Sequence, residues 1–256
     1  MSSSVITDPW QQFRQHTRAR IALGRAGVSM PTEEVLNFQL AHALARDAVH
    51  AKLDAEALSA GLEARGYLVL RARSAAESRD AYLKHPDLGR SLDEESKSIL
   101  AHAAPTSSYD AAFVIADGLS AIAVERHAIP LLDEMIPKLK DWQIAPIVIA
   151  TQSRVALGDE IGELLKAKMV AILIGERPGL SSPDSLGVYL TFDPKPGRLD
   201  SERNCISNIR PDGLSYSLAS HKLRFLMNEA RRLKLTGVAL KDESDVRQIA
   251  AADNAR

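Results

Sequence analysis

Three short polar clusters hold most of the side chains able to grip a ligand, and each directly follows an apolar run suited to a β-strand. Residues 114–116 lead into Asp117-Gly118-Leu119-Ser120, residues 146–150 into Thr151-Gln152-Ser153-Arg154-Val155, and residues 169–174 into Gly175-Glu176-Arg177-Pro178-Gly179. A carboxylate offers acceptors only, and a guanidinium offers five donors. Glu176, Arg154 and Arg177 together therefore suit a ligand with both kinds of polar group. Chain reversal accounts for the glycines and the proline. It does not account for the carboxylate or the guanidiniums.

The elements around these clusters alternate. Short β-type runs fall at residues 67–71, 111–116, 144–150, 169–174 and 186–192, with helical patterns at 119–140, 158–168 and 215–235 between and after them. Alternation of this kind predicts an α/β fold with a mostly parallel sheet in three layers over residues 67–240. In such a sheet the three clusters meet at the carboxyl edge, where open α/β folds bind ligands. Ser91 with Glu94 predicts a capping box for a helix reaching about residue 100. Pro130 and Pro137 are expected to divide or kink the helix at 119–140. Cys205 falls in an expected loop. The stripe Ala219, Leu223, Leu226, Ala230 and Leu233 marks the buried face of the last helix, and the tail beyond Gly237 reads as polar and frayed.

Before residue 67 the pattern is helical. Pro31-Thr32 opens a helix over 32–50, with Glu33 and Glu34 at its positive end and an apolar face of Leu36, Leu40, Ala43 and Leu44. A second helix spans 52–64. Arg14, Arg18, Arg20 and Arg25 with His16 read as a short basic helix stopped by glycine. The division predicted is a tail and helical region at 1–66 and an α/β domain at 67–256.

Composition narrows the function. The chain has 256 residues, 45% hydrophobic and 25% charged, as in ordinary globular proteins. Its formal net charge of −1 gives no general attraction to nucleic acid. The basic segment still permits an adaptor for RNA or for acidic protein surfaces, and the sparse aromatics, 5%, favour the protein surface. The other alternative is a nucleotide-regulated α/β binding module, although neither a GxGxxG fingerprint nor a P-loop is present. The histidines form no HExxH or paired cysteine–histidine spacing, so no metal site is expected. Ser120 lacks the GxSxG spacing of a nucleophile and reads as a helix cap. Cys205 is the only cysteine, which suits a reducing compartment, and no apolar run suggests a signal peptide or a membrane span. Cytoplasmic residence is the expectation.

Longer stretches carry a resemblance. Residues 20–27 (Arg-Ile-Ala-Leu-Gly-Arg-Ala-Gly), 82–90 (Tyr-Leu-Lys-His-Pro-Asp-Leu-Gly-Arg), 115–120, 158–163, 174–180 (Ile-Gly-Glu-Arg-Pro-Gly-Leu) and 203–209 (Arg-Asn-Cys-Ile-Ser-Asn-Ile) occur in the same order over about 14–236. The chain closely resembles the small, or light, subunit of adenosylcobalamin-dependent ethanolamine ammonia-lyase. That resemblance implies a Rossmann-like domain behind an N-terminal helical region, and cleavage of ethanolamine to acetaldehyde and ammonia. It implies a separate large subunit, a TIM barrel, that holds the substrate and the catalytic side chains. Adenosylcobalamin lies between the two subunits, and several large–small pairs assemble into a higher hetero-oligomer. It matches Val155, Glu176 and Cys205 to cobalamin-contacting positions, with Arg154 beside them. No catalytic residue is assigned to this chain. No histidine has an aspartate two residues before it, so the cofactor is expected to keep its own benzimidazole on cobalt. The N-terminus resembles the shorter family members, and the extension linked to microcompartment encapsulation is not matched. The segment between Asp193 and Arg203 departs from the family pattern.

Overall fold

The computed structural model describes residues 5–245. Its centre is a six-stranded sheet built from β3 (Val69–Arg73), β4 (Ala112–Ala116), β5 (Ile147–Thr151), β6 (Met169–Gly175), β7 (Leu186–Phe192) and β8 (Asn204–Ile209), in the order β3-β5-β4-β6-β7-β8. The pairings β3/β5, β5/β4 and β4/β6 are parallel. The pairings β6/β7 and β7/β8 are antiparallel. The sheet is thus largely parallel, with an antiparallel extension on one side. A two-stranded ribbon, β1 (Val5–Ile6) with β2 (Arg25–Ala26), precedes it.

The central strands are continuous apolar runs because both of their faces are covered. Every residue of β4 and β6 is buried. Side chains alternate across a strand, so Phe113 and Ile115 join a core with α2 (Ala55–Glu63), α5 (Ala121–Met135) and α7 (Tyr216–Leu233). Ala112, Val114 and Ala116 face the opposite core, with α4 (Glu94–His102) and α6 (Leu157–Leu164). Two further helices are α1 (Thr32–His50) and α3 (Arg79–Lys84). Ser120 caps α5, accepting from Ala123 N at 3.3 Å and donating to Pro183 O at 2.8 Å. Its hydroxyl is committed to structure. Ala219, Leu223, Leu226 and Ala230 of α7 are buried as the stripe predicts, while Leu233 is 41% exposed.

Several expectations are corrected. The basic segment is not a helix. A 3-10 turn covers Pro9–His16, and residues 25–26 pair with 5–6 as a ribbon. Arg14 pairs with Glu34 at 2.9 Å, Arg18 with Asp212 at 3.3 Å, and Arg20 lies over the Phe38 ring. Asp93, not Ser91, caps α4, accepting from Ser96 N at 2.9 Å. Ser91 O is bonded to Ala75 N and Leu92 forms a bridge to Ser74, so the chain is still extended there. Pro130 does not divide α5, which runs through it; Pro137 lies in the 3-10 turn that follows. Cys205 lies in β8, not in a loop. The apolar residues Leu36, Leu40 and Leu44 of α1 are exposed at 57%, 60% and 50%. The buried positions of α1 are instead Ala45 and Ala48. Residues 246–256 of the polar tail lie outside the described residues.

Candidate functional site

The adjacent strands β4 and β5 feed helices on opposite faces of the sheet, α5 and α6. That split opens a crevice beyond their carboxyl ends. A cleft of about 400 Å³ lies there, within the ordinary range for small-molecule sites. Gly118 and Leu119 line it from the β4 loop, Arg154 and Val155 from the β5 loop, and Glu176 and Arg177 from the β6 loop. Tyr82, Tyr189 and Ser207 complete the wall. The three polar clusters therefore meet as their positions predict.

Close backbone approach makes this meeting feasible. Leu119 N donates to Gly175 O at 2.9 Å. A Cβ on Gly118, whose φ is +55°, would lie 2.3 Å from that oxygen, and one on Gly175 would lie 2.0 Å from Ser120 O. Only glycine permits both approaches.

Arg154 is stacked on Tyr82, with its guanidinium carbon 4.2 Å from the ring centroid and Nη2 donating to Tyr82 O at 3.3 Å. Its Nε is buried with no hydrogen-bond partner among the described residues. A Cβ on Gly89 would come within 2.8 Å of the Arg154 side chain and 3.0 Å of Tyr82, so Gly89 leaves room for the stack. Arg154 N also donates to Gly89 O at 2.8 Å. Val155 is half-buried and packs against the α4/α6 side of the core.

Glu176 is more engaged than its sequence context indicates. Oε1 accepts from Ser207 Oγ at 2.6 Å, and Oε2 accepts from Asn208 N at 3.2 Å and from Ser185 Oγ. Gly187 stands beside the carboxylate at a distance that would bring a Cβ within 2.9 Å. Glu176 thus ties the cleft floor to β8. Two carboxylate oxygens provide about four acceptor sites, and one remains for a ligand.

Cys205 does not line the cleft. It sits on the exposed edge strand in register with Tyr189, which does. Desolvation around its sulfur pushes the thiol above its ordinary value, and the Glu176 carboxylate adds to this; contact with Tyr189 works the other way and is outweighed. Burial similarly raises Tyr189, with Cys205 and Glu176 adding to the effect.

Sequence reasoning assigned no individual role to three groups in and beside the cleft wall. Tyr82 is fully buried, and its hydroxyl donates to Ser153 O at 3.1 Å. Asp117 accepts from Gln152 N at 2.9 Å and Ser153 N at 3.0 Å. Arg79 also lies over the Tyr82 ring, 4.7 Å from its centroid, and faces Asp117 at 3.4 Å. Burial pushes the Asp117 carboxyl up despite these partners. Apart from Arg79 and Tyr82, neighbours on α3, the partners are separated by 35 to 71 positions, so no local spacing signals them. No group of three His, Cys, Asp or Glu placed to hold a metal occurs among the described residues.

A family profile described as "Ethanolamine ammonia-lyase light chain (EutC)" matches residues 7–241. A chain from Azotobacter vinelandii called "Ethanolamine ammonia-lyase small subunit" is 57% identical over 98% of this chain and 94% of its own length. Chains of the same name from Ralstonia nicotianae and Pseudomonas syringae pv. tomato are 54% and 52% identical, covering 95% and 99% of this chain and 92% and 90% of their own. Similarity that covers nearly the whole chain places it in the ethanolamine ammonia-lyase light chain family.

Proposed function

We propose that this chain is the small subunit of an adenosylcobalamin-dependent ethanolamine ammonia-lyase, which converts ethanolamine to acetaldehyde and ammonia. The observation that carries the reading is the 57% identity over 98% of the chain to a protein of that name. A separate large subunit, a TIM barrel, holds the substrate and the catalytic groups. The cofactor occupies the interface between them, within a higher hetero-oligomer of large–small pairs in the cytoplasm. Residues 1–66 act as a helical region and residues 67–256 as a Rossmann-like domain that meets cofactor and partner. No helix among the described residues is long and apolar enough to cross a membrane.

The residues suit such a group. A corrin carries peripheral amides, which need both donors and acceptors. The orphaned Nε of Arg154 and the remaining acceptor site on Glu176 supply one of each. The cleft is open to the surface, which suits a site completed by a second protein. Adenosylcobalamin supplies the radical chemistry when bound. This chain's own part is to bind and orient. Arg154 donates, Val155 keeps water from an apolar edge, and Glu176 accepts while holding β8 in place. Cys205 packs at the rim beside Tyr189. No histidine of this chain is assigned to cobalt.

Purification of this chain alone, of its candidate large subunit alone, and of the two together tests the reading. The complex is expected to bind adenosylcobalamin and deaminate ethanolamine, and each isolated protein to show little or no activity. Full activity of the large subunit without this chain, or normal turnover by this chain alone, would sink it.

A further inference from the structure

We infer that Arg79 and Asp117 are positioning residues for the cofactor site: neither lines the cleft, yet together they set the lip formed by residues 152–154. The inference rests on the reading of the cleft given above.

Arg79 gathers separate parts of the chain. Its Nε donates to Val49 O at 2.8 Å, near the end of α1, and its Nη1 donates to Gly118 O at 2.9 Å in the β4 loop. Its side chain is 10% exposed and that of Asp117 5%. Removing two charges from water is costly, and a core that needed only packing is served as well by apolar side chains. What this pair does that apolar residues cannot is hold backbone polar groups. Asp117 takes the N–H groups of both Gln152 and Ser153, which have no strand partner once β5 has ended.

The held conformation is an unfavourable one. Gln152 has φ +55°, a left-handed geometry that costs a non-glycine residue about 1–2 kcal/mol. Two hydrogen bonds to one buried carboxylate retain it. Ser153 O is held in turn by the Tyr82 hydroxyl, and the Tyr82 ring is the platform on which Arg154 lies. Arg79 occupies the other guanidinium position at that ring. The path from Arg79 through Asp117 to the 152–153 backbone ends at Arg154, which lines the cleft beside the Tyr82 ring that carries it. Loss of Asp117 frees two buried donors, and the turn relaxes toward an ordinary geometry. Loss of the Arg79 fork leaves Asp117 uncompensated and frees the Gly118 and Val49 carbonyls. Both changes move Arg154 without touching it.

The test uses the assembled large–small complex and cyanocobalamin, a probe that binds without reacting, titrated by its visible absorption. Arg79→Lys keeps the charge and loses the planar fork. Asp117→Asn keeps the shape and loses one strong acceptor. Each is expected to weaken cyanocobalamin binding about tenfold, and to lower turnover at saturating adenosylcobalamin much less. In an Arg154→Ala background, where the side chain being positioned is gone, each should weaken binding no more than about twofold further. A merely structural defect would act equally in both backgrounds. Unchanged binding by both single variants, or effects that multiply independently of Arg154→Ala, would overturn the inference. If Arg79→Lys does not assemble, Asp117→Asn carries the test, and failure of both to assemble assigns the pair to folding and overturns it. A wild-type complex that does not bind cyanocobalamin would instead defeat the functional reading, and this inference with it.

Discussion

Tyr82 has a fully buried hydroxyl whose single proton is already given to Ser153 O. Burial pushes its pKa up to about 12; Arg154 and Arg79 pull it down, Asp117 pushes it up, and burial wins. The folded value lies above the ordinary tyrosine value near 10. The stability gained by keeping it neutral is therefore fully present below about pH 10 and is lost as pH rises through about 12. Denaturant unfolding of wild type and Tyr82→Phe at pH 9, 10 and 11 checks this. Between pH 10 and 11 wild type should lose about 1 kcal/mol more than the variant, which has no proton to lose. Parallel curves would refute it. At this scale the cleft-lining places of Arg154 and Glu176 were legible because each follows an apolar run, while Val155 was singled out by the family resemblance. The three donors that occupy Glu176 were not legible, since Ser185, Ser207 and Asn208 reach it through strand pairing.

Loop meets loop at the carboxyl edge with no space for a methyl group. Gly175→Ala places a Cβ 2.0 Å from the Ser120 carbonyl, where backbone rather than a flexible side chain must yield. A loss of about 2–4 kcal/mol in unfolding free energy is expected, with the cleft distorted. Gly197→Ala is the comparison: φ there is +95°, but a Cβ meets nothing within 4 Å, so only backbone strain of about 1–2 kcal/mol applies. Equal losses for the two variants would show that crowding at Gly175 is relieved by movement. Elements with strong periodicity were readable from local pattern. Examples are α1 at Thr32–His50 and the buried strands β4 and β6. β8 was missed because an exposed edge strand buries only Ile206 and Ile209 and otherwise carries polar residues, which read as loop. The cap of α4 was placed two residues early because Leu92 bridges Ser74, a contact invisible to local spacing.

For the whole molecule, a cofactor shared by two proteins links its binding to their assembly. Cobalamin at about 100 times its dissociation constant should stabilise the large–small complex by about 2.7 kcal/mol and raise its thermal midpoint. The isolated chain, with part of a site, should show a much smaller shift in the same thermal scan. A full shift in the isolated chain would mean that this protein alone builds the site. The apolar face of α1 belongs to this scale as well. Leu36, Leu40 and Leu44 have the spacing of a buried stripe, yet they face outward in this chain. Periodicity reports that a helix has an apolar side, and not which surface covers it.

By itself the sequence determined the α/β class, the order of the central elements, the meeting of three polar loops at one sheet edge, and the family. These follow from local pattern, from the chirality and geometry of parallel strands, and from motifs held in order along the chain. The tertiary structure alone decided which side chains support those that line the cleft. Arg79 and Tyr82 share α3, Asp117 follows β4 and Gln152 follows β5, and the contacts between these three segments span 35 to 71 positions. Buried polar groups must find partners wherever the fold brings them. That requirement is satisfied through space, so it leaves no spacing in the sequence to read.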